Sequence, residues 1–237
     1  MLVFLLACAH TPSTTEEAPA TPSATELAAA DDIQPQAAGH MMAHLATLES
    51  ARNAVIHGSD EAFQEAIAWL ADHETHPYIP EEYWPYIQQM KGAARVARDA
   101  PSVGGRAIGI ATVASICGEC HEAMETGPTF KTDPPPPEIN GISPHMARHK
   151  WASDRLWEGL VARDDDRWQA GVDALREEPL ADGDLNIHQD MSDDEATVAK
   201  WLHDMAGFGD QMEGSMARSA YYGDLLSRCA SCHATMR

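Results

Sequence analysis

An all-α fold is predicted for this chain, arranged as two tandem four-helix up-down bundles. Three observations carry the expectation. Leu160, Leu156, Ser153 and His149 follow helical spacings of three or four, as do Val55, Ala51, Leu48 and His44. No stretch shows the sustained alternation with β-branched residues that marks a strand. The two halves also read as copies. Displaced by 105 residues, His40 meets His145, Met41 meets Met146, His44 meets His149, Phe63 meets Trp168 and Gln64 meets Gln169. Toward the end of each copy the displacement becomes 112, and Arg106 meets Arg218. An internal duplication with connecting segments of unequal length explains both values.

Taken in order, residues 1–8 form a short apolar leader, and residues 9–36 are rich in Thr, Pro, Ser, Ala and Glu. The latter composition builds no core and reads as a flexible tether. The first bundle is expected over 37–127, with helices near 39–57, 60–74, 81–99 and 102–124. Ser59-Asp60 and Pro101-Ser102 supply helix starts, while Pro77, Pro80 and Gly104-Gly105 punctuate the chain. Residues 128–142 are a linker in which Pro134 to Pro137 favour a stiff, extended connector. The second bundle is expected over 143–237, with helices near 144–162, 164–177, 193–210 and 214–236. Ser192-Asp193-Asp194-Glu195 is a capping-box start. Short connections between four helices favour the up-down order.

The chain has 237 residues, 44% of them hydrophobic, which is enough for a proper core. Its net charge of −21 argues against nucleic acid and for a basic partner or simple solubility. Asp164, Asp165 and Asp166 read as a solvated acidic face. No Gly-rich phosphate loop and no hydrolase-type nucleophile motif is present.

Two motifs carry the chemistry. Cys117-Gly118-Glu119-Cys120-His121 closes the first copy and Cys229-Ala230-Ser231-Cys232-His233 closes the second. This spacing is the attachment signature of c-type haem. Two thiols on one helical turn each add to a vinyl group, and the adjacent histidine reaches the iron. Two covalent haems are therefore expected, one at the end of each last helix. Cys117, Cys120, Cys229 and Cys232 are the attachment thiols, with His121 and His233 as proximal ligands.

An up-down bundle brings the start of its first helix to the end where its fourth helix finishes. The repeated His-Met-x-x-His lies there, at 40–44 and 145–149. His44 and His149 share the aliphatic face and are the first choice for distal ligands. Met41 with Met146 and His40 with His145 are the alternatives, and an open distal site is the last. A methionine would raise the potential relative to histidine. His57, His73, His76, His188 and His203 lack a repeated spacing and default to surface or packing roles. The six tryptophans and Met90, Met205, Met212 and Met216 default to core or wall packing. Arg106 and Arg218 are expected to form surface ion pairs.

Two resemblances extend this reading. Leu5-Leu6-Ala7-Cys8 resembles the lipobox of bacterial lipoproteins. It implies cleavage before Cys8 and lipidation of its thiol, although no Lys or Arg precedes the apolar run. Ala9 lacks the aspartate associated with inner-membrane retention, which implies a periplasm-facing lipoprotein of the outer membrane. The position of each CxxCH near the end of a fourth helix resembles class II c-type cytochromes, the cytochrome c-prime family. Arg237, four residues after His233, matches a frequent feature of that family; the first copy has Glu125 there. The resemblance covers about 90 residues of each copy and implies a haem-bearing four-helix bundle.

Together these readings lead to a dihaem electron carrier of the bacterial cell envelope, not an enzyme, anchored by lipid on Cys8 and serving redox partner proteins. A dihaem peroxidase or a gas-binding haem protein is the alternative, and either needs an open distal site.

Overall fold

A computed structural model describes residues 24–137, 142–176 and 193–235. They form eight α-helices and, among the described residues, no strand. The helices are α1 (Ala24–Ile56), α2 (Asp60–Asp72), α3 (Trp84–Arg98), α4 (Val103–Ala123), α5 (Ile142–Ala162), α6 (Asp165–Arg176), α7 (Asp193–Gly209) and α8 (Gly214–Thr235). A single 3-10 turn, Glu81–Tyr83, precedes α3. The all-α expectation holds, and the boundaries fall close to those read from the sequence.

One difference concerns the tether. Helix α1 begins at Ala24, inside the stretch expected to be flexible, and runs through Pro35. Ala24 to Ala30 consist largely of Ala, Glu and Leu, which favour helix strongly enough to carry the chain up to a residue that removes a backbone donor.

Local signals account for several helix ends. The Ser102 side chain accepts from the Gly105 amide at 3.1 Å and caps α4. Asp164 accepts from the Arg167 amide at 3.0 Å and caps α6, so it is not merely a solvated charge. Ser192 lies outside the described residues.

The duplication is carried into the packing. Arg106 Nη1 donates to Asp60 at 2.5 Å and lies over the Phe63 ring at 5.2 Å. Arg218 Nη1 donates to Asp165 at 2.6 Å and lies over the Trp168 ring at 5.1 Å. Each ties the start of its half's last helix to the start of its second helix. The expected ion pairs thus exist, with an aromatic face beneath each guanidinium.

The halves do not sit apart. One hydrophobic core draws Leu48, Val55, Ile67 and Ile110 from the first half and Leu156, Trp157, Leu160 and Leu225 from the second. Helix α4 is its centre, in contact with α1, α3, α5 and α8. Small residues make this crowding tolerable: Ala107, Gly109, Ala111, Ala114 and Gly118 all lie buried along it. A Cβ on Gly118 would fall 2.1 Å from the Leu160 carbonyl oxygen of α5. A Cβ on Gly223 of α8 would fall 2.6 Å from the Ile108 Cα of α4. Backbones this close leave room for glycine alone.

Helices α4 and α8 run antiparallel. Gly104 faces Ser227, Gly223 faces Ile108, and Ser215 Oγ donates to Glu119 Oε1 at 2.5 Å. A guanidinium from α1 crosses to α5, where Arg52 meets Asp154 and lies 5.3 Å over the Trp157 ring. The connector is pinned as well. Arg167 donates to the Phe130 carbonyl at 2.5 Å, Arg155 to that of Lys131 at 3.2 Å, and Trp151 Nε1 to that of Asp133 at 3.2 Å. The segment joining the halves is laid along α5 and α6 rather than holding them apart.

Candidate functional site

Both CxxCH motifs occupy the last turns of a helix, at the end of α4 and of α8. Because these helices are antiparallel, the motifs lie toward opposite ends of the molecule. Glu119 is level with Ser215, so Cys117 and Cys229 are separated by about 20 Å along the axis at 1.5 Å per residue. All four thiols are partly buried. Burial pushes the Cys117 thiol up to about 12, and those of Cys120 and Cys229 up to about 11.

Each motif meets residues of the opposite half. His121 Nδ1 lies 2.7 Å from the carbonyl oxygen of Val161, in the last turn of α5. A carbonyl only accepts, so Nδ1 carries the proton and Nε2 keeps its lone pair. That tautomer, held by a backbone carbonyl, is the one a metal-ligating histidine adopts. Burial lowers the His121 imidazole below its ordinary value, and the Val161 carbonyl partly offsets this. The His233 ring lies 5.2 Å from that of His57, at the end of α1. His57, though exposed, packs on a motif of the other half.

A haem group fits this chemistry in its donor set. Each motif presents two thiols and an imidazole on adjacent turns, and His121 is in the tautomer that leaves Nε2 for iron.

The expected helical stripe is buried in the first half, and in the second half as far as His149, which is half-buried. Val55, Ala51, Leu48 and His44 are at most 6% exposed, and Leu160, Leu156 and Ser153 are buried too. The histidines at the head of each stripe meet other imidazoles. His44 Nε2 lies 2.8 Å from His73 Nε2, and the His40 ring is 4.4 Å from that of His44. His149 Nε2 lies 3.3 Å from His203 Nε2, and the His145 ring is 4.2 Å from that of His149. Burial, then neighbouring charge, brings His44 and His149 down to about 3 and His40 and His145 to about 4. At neutral pH these are neutral rings with lone pairs available.

His73 and His203 are the residues that sequence reasoning missed. His73 follows the last turn of α2, while His203 lies within α7, so no repeated spacing links them. The one local signal was position. His203 follows buried Leu202, and His73 stands four residues after Trp69, on which it stacks at 4.5 Å.

Met41 is partly buried and Met146 is 36% exposed, so neither belongs to the core. Met90 and Met205 fill the core as expected, but Met216 is exposed. Cys8 and His188 lie outside the described residues. No helix among the described residues is long and apolar enough to cross a membrane.

Comparison with known protein families, with characterised proteins and with solved structures gives no match. The functional reading rests on the residues themselves.

Proposed function

We propose that this chain is a two-haem c-type cytochrome that relays single electrons at the bacterial cell envelope. The observation that carries the reading is the pair of CxxCH motifs, each closing a helix, with His121 fixed in the ligating tautomer by Val161. Cys117 with Cys120 and Cys229 with Cys232 would hold the two groups, and His121 and His233 would supply the proximal nitrogens. Once bound, the group supplies reversible one-electron chemistry at iron.

The chain's own part is positional and electrostatic. The Val161 carbonyl orients His121 and raises its basicity. The shared core fixes the two motifs relative to one another, so a relay would not depend on a flexible hinge. For the sixth ligand the repeated pentapeptide offers His44 with His149, or Met41 with Met146. The net charge of −21 supports a docking partner with a basic surface. Lipidation at Cys8 would keep the carrier at the membrane, with the outer membrane proposed from Ala9. The tandem bundle architecture and the class II cytochrome relationship belong to the same proposal.

The test is maturation of the chain with a c-type haem apparatus, followed by intact-mass and optical measurements. Two covalent haems are expected. Cys117→Ser with Cys120→Ser should remove one, and Cys229→Ser with Cys232→Ser the other. Low-spin spectra that ignore carbon monoxide support the carrier. Failure to acquire covalent haem would refute it. A high-spin component that binds carbon monoxide would favour the peroxidase or gas-binding alternative.

A further inference from the structure

We infer that each half carries a transition-metal site built from three imidazoles, His40, His44 and His73 in the first and His145, His149 and His203 in the second. The ligand would be a borderline divalent ion of the Zn²⁺ or Cu²⁺ kind. None of the six rings belongs to a CxxCH motif, and the inference does not depend on the haem reading.

Geometry is the first support. In each cluster the three candidate nitrogens lie within 4.8 Å of one another. Zinc–nitrogen bonds of about 2.0–2.1 Å in tetrahedral geometry place ligand nitrogens about 3.3 Å apart. Of the closest pairs here, the one at 3.3 Å matches that value and the one at 2.8 Å needs to open by about 0.5 Å. Small ring rotations would bring in the third nitrogen. Three protein ligands leave a fourth position for water or another ligand, and neutral imidazole suits Zn and Cu.

The second support is orientation. His73 Nδ1 lies 3.0 Å from the Trp69 carbonyl oxygen, and His203 Nδ1 lies 2.9 Å from that of Leu175. Each carbonyl places the proton on Nδ1 and leaves the Nε2 lone pair facing the cluster. A carbonyl behind the ring is the outer-shell arrangement of metal-bound histidine. In the first cluster, moreover, His40 Nε2 is buried without a hydrogen-bond partner among the described residues. A buried nitrogen of that kind calls for a partner.

The third support is the origin of the third ring. Two histidines of each cluster belong to the repeated pentapeptide and share one ancestry. The third does not. The displacement of 112 that aligns α3 with α7 sets Lys91 against His203, and His73 comes from the end of α2. Lys91 instead donates to the His73 carbonyl. The halves reach the same three-imidazole set by different routes. Inherited packing would not produce that, whereas a shared demand for a third nitrogen does.

The experiment uses the haem-matured protein, stripped with a chelator, equilibrated with Zn²⁺ and assayed by elemental analysis, with haem content measured separately. Two zinc ions per chain are expected beyond the haem iron. His73→Ala and His203→Ala should each lose one, and the double variant both. His40→Ala and His145→Ala, in less buried rings, should give the same losses while circular dichroism verifies the helices. Cu²⁺ loaded in place of zinc should show nitrogen hyperfine coupling in its electron paramagnetic resonance spectrum. Absence of stoichiometric zinc, or two zinc ions retained in the double variant, overturns the inference. So does a change of haem ligation in these variants with no second metal bound, which gives the rings to iron and leaves the carrier reading standing. Two zinc ions on a chain that takes up no haem, both lost in the His73→Ala and His203→Ala double variant, support the inference and sink the carrier instead.

Discussion

Replacing Arg52 by methionine tests whether the two halves form one cooperative unit. Arg52 is 7% exposed and is the only guanidinium that the described ion pairs send from α1 to α5. Asp154 also receives Lys150 Nζ at 2.6 Å and has a side chain 25% exposed. Breaking a buried pair by removing one partner costs about 3–5 kcal/mol, because the remaining charge stays buried. The residual Lys150 contact and the partial exposure of Asp154 put this case at the lower end. Loss of the guanidinium over Trp157 adds up to about 1 kcal/mol. Methionine keeps much of the volume, so about 3 kcal/mol is expected. With a urea slope of about 3 kcal/mol/M for a chain of this size, the midpoint falls by about 1 M. Adding Asp154→Asn removes the stranded charge and should recover about 1–2 kcal/mol, a coupling visible in a double-mutant cycle. Unfolding followed by far-ultraviolet circular dichroism and by tryptophan fluorescence should show one shared transition. A loss under about 1 kcal/mol, zero coupling, or two transitions of which only one moves would refute the reasoning.

Further outcomes follow from single contacts. Gly118→Ala places a Cβ against the Leu160 carbonyl, and should destabilise by about 1–3 kcal/mol in urea unfolding. Ala230→Gly, at the matching position of the second motif, should cost no more than about 1 kcal/mol. Ser102→Ala removes the α4 cap and should cost about 1 kcal/mol by the same assay. Burial pushes the Asp154 carboxyl up, but Arg52 and Lys150 outweigh this and hold it below its ordinary value. Its contribution is therefore present above the unfolded carboxylate range near pH 4 and is lost as pH falls through the folded value. Acid titration of stability should be shallower there in Asp154→Asn than in the parent protein; identical slopes would show that Asp154 does not supply the acid limb.

The helices and the duplication were legible because both are periodic. Val55, Ala51, Leu48 and His44 repeat at helical spacing, and burial follows that spacing. What periodicity does not record is how the halves meet. That contact depends on Gly118 and Gly223, where the absence of a side chain allows backbones to touch. In a sequence, a glycine inside a helix reads only as a weak point. The histidine clusters were half legible for a related reason. His40, His44, His145 and His149 share a spacing, whereas His73 and His203 reach them through tertiary packing from unlike places. The prolines of the connector are plain in the sequence, but its docking depends on Arg155 and Arg167, which lie far from it in sequence.

The antiparallel seam between α4 and α8 has a consequence for how such a chain arises. Exchanging the halves carries Arg106–Asp60 onto Arg218–Asp165, and the end of α4 against α5 onto the end of α8 against α1. A surface that meets its own copy about a two-fold axis is what a homodimer of one half would use. In a homodimer every substitution appears twice, so both centres must remain alike. Joining the halves in one polypeptide removes that constraint. Where one half has Lys91 and Gly118, the other has His203 and Ala230, so the two ends are not identical. Two ends no longer bound to be identical can differ in affinity, which a symmetric pair of identical chains cannot.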